Sequence, residues 1–268
     1  MSNTKTFGKY AQQYGINNHK IKLKLKHSIK VAKLSKEIAS KLFSDEKLVE
    51  LAYNIGLLHD ISRFEQWNSF ETFIDRDSFD HGDYSTYLLF EKKLINDFEF
   101  DPEFYPYCYI AIKNHNKLQI NDELLDKFCE EMNIDKNLAK TFCLIIRDAD
   151  KLDIARVFVE NPSDMDFPTY AQPTGYSPKM MQDFKSHRLC DYKNRRSVVD
   201  FALGYLAFPF DFNFDISNVI FARTSEDYAN AVKTRYYNSL SNPSDKQTLQ
   251  ESCDYLVEQF KKYKELEQ

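Results

Sequence analysis

The sequence predicts an all-α chain, and two observations carry that prediction. Apolar residues recur at steps of three and four through most of its length, and no alternating pattern longer than a few residues runs through the first 160 positions. Residues 21–43 place Val31, Leu34, Ile38 and Leu42 on one helical stripe, with His27 four before Val31. Residues 46–61 form a second helix whose Ala52, Ile55 and Gly56 share a face with His59. Residues 62–80, polar and aromatic without a clean period, read as a loop or a short irregular helix. A third helix is expected over 81–96 and a fourth over 104–118, after the breaker Pro102. Two more are expected within 121–159.

Pro162, Pro168, Pro173 and Pro178 then crowd one interval together with Gly175, which predicts a long irregular connection. Beyond it "SVVDFALGYLAFPFDFNF" reads as an apolar helix closed by Pro209, and 225–268 as two amphipathic helices. The organisation expected is therefore a helical core over 1–160, a Pro-rich irregular connection over 161–195, and C-terminal helices over 196–268 packed on that core.

Composition bounds the function classes. With 43% hydrophobic and 29% charged residues in 268, the chain has the balance of a soluble globular protein with a sizeable core. A net charge of -5 supplies no global pull toward long nucleic acid or an anionic membrane, so an anionic ligand must be met by a local site. Cys108, Cys129, Cys143, Cys190 and Cys253 are odd in number and lack a C-x-x-C pair, which suggests neither a disulfide framework nor a thiolate zinc site. No signal peptide or membrane span is read from the sequence, and the expected compartment is the cytoplasm.

Chemistry concentrates on few residues. The histidines are His19, His27, His59, His81, His115 and His187, and four of them, His27, His59, His81 and His115, fall on or beside different predicted helices. Scarce histidines so distributed suggest convergence in space. In "NIGLLHDISRF" an apolar helix face ends in His59 and Asp60; a carboxylate there costs several kcal/mol unless a cation is close. In "LIIRDADKLDI" Asp150 lies on the stripe of Ile146 and Ile154, while Asp148 is flanked by Leu144 and Leu152, so periodicity leaves both open. Imidazoles and carboxylates without thiolate suit Mn, Fe, Co, Ni or Zn, with Mg at a carboxylate-rich position. Four His and two Asp exceed the needs of one ion. The surplus points to two ions about 3.5–4 Å apart, an arrangement that activates water against a phosphoester.

The ordered set His27, "HD" at His59 and Asp60, His81, His115 and a late Asp in "RDADKLD" resembles the HD superfamily of metal-dependent phosphohydrolases. "GLLHDISRFEQW", "DHGDY", "AIKNHNK", "RDADKLDI" and the later "VVDFALGYLAFPFDFNF" are similar to bacterial HD-domain hydrolases whose usual motif is HDIGRFEQ. The resemblance implies an HD-domain helical bundle with a C-terminal helical extension. It also implies that His27, His59, Asp60 and Asp150 hold one divalent ion, with Asp60 bridging to a second on His81 and His115. Asp150 is preferred to Asp148 because it stands in the family's "ADKL" context.

Arg63 occupies a place where related enzymes carry a basic residue for phosphate, and Lys151 is a second candidate for substrate charge. Ser62 stands where the family commonly has Gly, which raises the expectation of an unusual backbone angle there. The implied substrate is a small phosphomonoester or phosphodiester, of a nucleotide by analogy. Trp67, Phe70, Phe73, Phe167 and Tyr170 are candidates to cap the pocket and stack a base. Two other functions share this donor set: a di-iron HD-fold oxygenase, and a non-catalytic nucleotide-binding sensor. A homodimer is compatible with the apolar tail.

Overall fold

A computed structural model describes residues 2–165 and 171–267. Among these residues the fold is all-α, with one isolated bridge between Gln172 and Ser197. The chain divides into two compact units, residues 1–150 and 151–268.

The first unit begins with α1 (Asn3–Gln12) and the long α2 (His19–Leu42). Asn18 caps α2 by accepting the Lys20 backbone N–H, which satisfies one of the four orphan donors of a helix start. Asp45 caps α3 (Glu46–Leu58) in the same way through the Lys47 N–H. Helices α2 and α3 approach until backbones touch: a Cβ on Gly56 would stand 2.8 Å from Ala32 Cα and 2.7 Å from Ser35 Oγ. Gly56 is therefore required by contact.

The stretch 62–80, expected as loop or short irregular helix, contains α4 (Arg63–Phe70) and a 3₁₀ turn at Asp75–Asp77. The third expected helix is broken into α5 (His81–Thr86), a π-helical turn at Tyr87–Glu91 and a 3₁₀ turn at Leu94–Asp97. Helices α6 (Tyr105–Asn114) and α7 (Asp122–Met132) follow, and then α8 (Lys136–Glu160). The border between the units falls inside α8, ten residues before the boundary drawn at residue 160 from sequence.

The second unit continues with α9 (Pro178–Lys185), so a helix forms within the Pro-rich stretch read as irregular; Pro178 sits at its first turn, where the missing N–H costs nothing. Helix α10 (Val198–Leu206) is buried along its whole length and opens on a capping box between Ser197 and Asp200. Helices α11 (Asp215–Ala222), α12 (Ser225–Tyr237) and α13 (Pro243–Lys264) complete the unit. All five cysteines are buried free thiols. Among the described residues no helix is long and apolar enough to cross a membrane.

Candidate metal centre

The cluster is built by five segments of the first unit. Apolar Leu51, Ala52, Ile55, Leu57 and Leu58 bury α3, and the chain keeps helical angles at His59, so His59 and Asp60 are delivered into the interior. His27 arrives from α2, His81 from the first position of α5, and His115 from the C-terminal cap of α6. Asp150 comes from α8. His27, His59, Asp60, His81 and His115 are all buried, and the Asp150 side chain is 18% exposed.

Distances split the cluster in two. Asp60 Oδ2 lies 3.6 Å from His27 Nε2 and 3.7 Å from His59 Nε2. Asp150 Oδ1 lies 3.1 and 3.7 Å from the same two nitrogens. The other Asp60 oxygen, Oδ1, lies 3.6 Å from His81 Nε2 and 3.7 Å from His115 Nε2. One carboxylate thus turns an oxygen to each half. The residues that converge closely enough to share an ion are His27, His59 and Asp60; His59, His115 and Asp150; and Asp60, His81 and His115. Asp148 is fully buried but joins none of these groups among the described residues.

The far ring nitrogens set the tautomers. His59 Nδ1 donates to Gly56 O at 2.7 Å, and His115 Nδ1 donates to Ile112 O at 2.6 Å. A carbonyl only accepts, so the proton is on Nδ1 and the Nε2 lone pair faces inward. His81 Nδ1 is 2.6 Å from Asp75 Oδ2, which orients that ring alike. Burial, followed by the charge of Arg63, lowers the His81 pKa to about 4, and burial lowers that of His59 too. Both rings are neutral near pH 7. Burial alone would raise the Asp60 carboxyl, but Lys24 and Arg63 hold it well below the usual carboxylate range.

This donor set fits a divalent ion. His81 Nε2 and His115 Nε2 stand 3.0 Å apart with lone pairs converging, an arrangement that a shared cation relieves. His59 Nε2 and Asp60 Oδ1 are buried without a hydrogen-bond partner in the protein, although such groups are rarely left so. Neutral imidazole and carboxylate without thiolate match the borderline metals and not a thiolate zinc site.

Other candidates fall differently. Arg63 Nη1 donates to Gln66 Oε1 at 2.6 Å, Phe73 O at 2.7 Å and Asp75 Oδ1 at 3.0 Å, while Nη2 lies 3.2 Å from His81 Nε2. It stands beside the cluster but is heavily engaged by protein. Lys151 belongs to the second unit, is buried, and pairs with Asp211 at 2.9 Å. Ser62 takes an ordinary helical angle, φ -70, so the substitution for Gly imposes no backbone strain. Its Oγ donates to His81 O at 2.9 Å and accepts from Ser85 Oγ at 2.9 Å, tying the His-Asp turn to the start of α5. Trp67 and Phe73 meet at a tilt of 41° with centroids 5.1 Å apart, and Phe70 is exposed against Phe79. Phe167 and Tyr170 lie outside the described residues.

Sequence reasoning missed the supporting shell. Asp75 orients His81, and Gln66 donates to Asp75 Oδ1 at 3.2 Å and Ser78 Oγ at 2.7 Å. Asn116 donates to Asp80 Oδ1 at 2.9 Å, and Arg147 holds the carbonyls of Asn114, Lys117 and Leu118 just around His115. A Cβ on Gly82 would meet Asn116 Oδ1 at 2.7 Å, so the Gly beside His81 admits that contact. An acidic residue placed shortly before a ligand His was the available signal for Asp75.

Residues 25–155 match the family model described as HD domain. The chain carries an HD domain. All six donors lie inside the matched span, and the HD domain is an all-α fold of a superfamily of metal-dependent phosphohydrolases that bind divalent metals. Comparison with curated proteins and with solved structures returns no match.

Proposed function

We propose that this protein is a metal-dependent hydrolase of a small phosphomonoester or phosphodiester, with a nucleotide as the substrate class. The observation that carries the reading is Asp60, whose two oxygens face separate groups of imidazoles inside one HD domain. In this reading His27, His59, Asp60 and Asp150 hold one divalent ion, and His81 and His115 hold a second that shares Asp60. When bound, such ions supply Lewis acidity and make water acidic enough to attack phosphorus near neutral pH.

The chain's own residues do the rest. Gly56 O, Ile112 O and Asp75 hold the imidazoles with Nε2 inward, so little reorganisation accompanies binding. Burial lowers the local dielectric, which strengthens every charge interaction within the cluster. Arg63, 11% exposed, contributes positive charge next to Asp60 and His81 and balances charge that develops on a phosphoryl group. The half-buried rings of Trp67 and Phe73, with exposed Phe70 nearby in sequence, offer aromatic surface suited to a nucleobase.

The test is a screen of mononucleotides, cyclic nucleotides and dinucleotides with added Mn, Ni, Co, Fe, Zn or Mg, read by phosphate release and by chromatography of products. Turnover that needs metal and disappears in Asp60→Ala supports the proposal. Bound iron with turnover only under dioxygen, and no phosphoester cleaved, replaces it with an oxygenase.

A further inference from the structure

Lys24 lies on α2 one turn before His27 and pairs with the carboxylate at the centre of the cluster. Its side chain is 16% exposed, with the ammonium 2.8 Å from Asp60 Oδ2 and 5.1 Å from the centre of the Phe73 ring. That oxygen is the one aimed at His27 and His59. A carboxylate oxygen serving a divalent ion cannot also keep an ammonium at hydrogen-bond distance without forcing two positive charges together in a buried place. Lysine has a flexible four-carbon stem and can withdraw, whereas Arg63 is fixed by Gln66, Phe73 O and Asp75. The Phe73 face, which also lies 5.8 Å from Arg63 Cζ, keeps a withdrawn ammonium near the cluster through its π-electrons.

We propose that Lys24 alternates between two anionic partners: Asp60 Oδ2, and, once an ion takes that oxygen, a phosphoryl oxygen of the substrate. The proposal rests on the phosphohydrolase reading for its second partner and on the Lys24–Asp60 contact for its first. In both arrangements the ammonium stays neutralised, and metal uptake itself presents a cation to the substrate.

The consequence is a pair of effects with opposite sign. Chelator-treated protein titrated with Mn²⁺ in a calorimeter reports the first, and Mn²⁺-loaded protein titrated with inorganic phosphate reports the second. Lys24→Met should bind Mn²⁺ roughly tenfold more tightly, because the competing ammonium is gone, and phosphate roughly tenfold more weakly, because a charge-assisted hydrogen bond is lost. Lys24→Gln, which keeps a polar tip, should show the same two signs and serves if the methionine variant does not fold. Lys24→Arg should sit near wild type in both titrations.

A Lys24 that merely braces the fold would weaken both ligands when removed, and that result, or unchanged phosphate affinity, overturns the proposal. Failure of the hydrolase reading looks different: wild-type protein would bind Mn²⁺ and phosphate with both Lys24 effects intact yet cleave no phosphoester.

Discussion

Both units bury carboxylates, and they treat them in opposite ways. In the second unit Asp200 accepts the backbone N–H groups of Ser177, Arg196 and Ser197 at 2.7, 2.9 and 3.1 Å, and Asp153 takes a two-pronged grip from Arg156 at 2.6 and 2.9 Å. Asp245 is closed by Gly175 N and Asn242 Nδ2. Every one of those partners brings protons. In the first unit Asp60 and Asp150 face Nε2 atoms of imidazoles, and the rings of His59, His81 and His115 have their protons committed on the far side. The lesson is that burial does not mark a site; a gathering of acceptors that outnumbers the protons Lys24 and Arg63 bring to it does, because a further cation completes it.

Breaking the first arrangement should have the largest effect. Asp60→Ala removes the residue common to both halves and should bring the metal content of purified protein, read by elemental analysis, to background. Asp150→Ala should lose metal as well, whereas Asp148→Ala should keep it; the reverse pattern would reassign the last ligand. In the second unit Asp200→Ala strands three N–H groups at the start of α10 and around it and should cost about 3 kcal/mol in urea unfolding while leaving metal content untouched. A parallel loss of metal would erase the contrast between the units.

Smaller changes sharpen the contrast. Asp75→Ala leaves all six donors present but frees the His81 ring, and by the behaviour of such supporting groups metal affinity should fall roughly 10- to 100-fold in chelator competition. An unchanged affinity would mean that Asp75 serves Arg63 and Gln66 and not the His81 ring. The mildest test is pH on chelator-treated protein. His81 titrates near 4 in the folded chain against an ordinary 6.5, so the unfolded chain binds more protons between those values. Its contribution to stability is therefore complete above about 6.5 and is lost as pH falls toward 4. His81→Gln should flatten urea stability across that window, and an unaltered profile would show the ring is not buried neutral.

Much of this was legible in the sequence because local rules produce it. The stripes through Val31 and Ile38, and through Ala52 and Ile55, appear as α2 and α3; the four donor histidines stand out because histidine is scarce, whereas Asp150 is preferred to Asp148 only through the family resemblance. What was not legible depends on chain closure. Asp75 and Gln66 look like ordinary loop and helix polar residues until the segment 71–80 folds back on α4. Lys24 is one of several lysines on α2 until Asp60 is placed beside it. Arg63 reads as a free guanidinium, yet three acceptors at Gln66, Phe73 and Asp75 claim one of its nitrogens. The break of the expected helix 81–96 at its π-helical turn has no periodic signature.

The contact at Gly56 has one further consequence. Because the backbones of α2 and α3 meet there, the gap between the helix carrying His27 and the helix ending at His59 is set by main chain, which is far stiffer than side chains. Such a gap acts as a fixed calliper: first-row ions of similar radius can be exchanged within it, but a calcium ion, which asks for more and longer oxygen contacts, would have to spread two helices whose backbones already meet at Gly56.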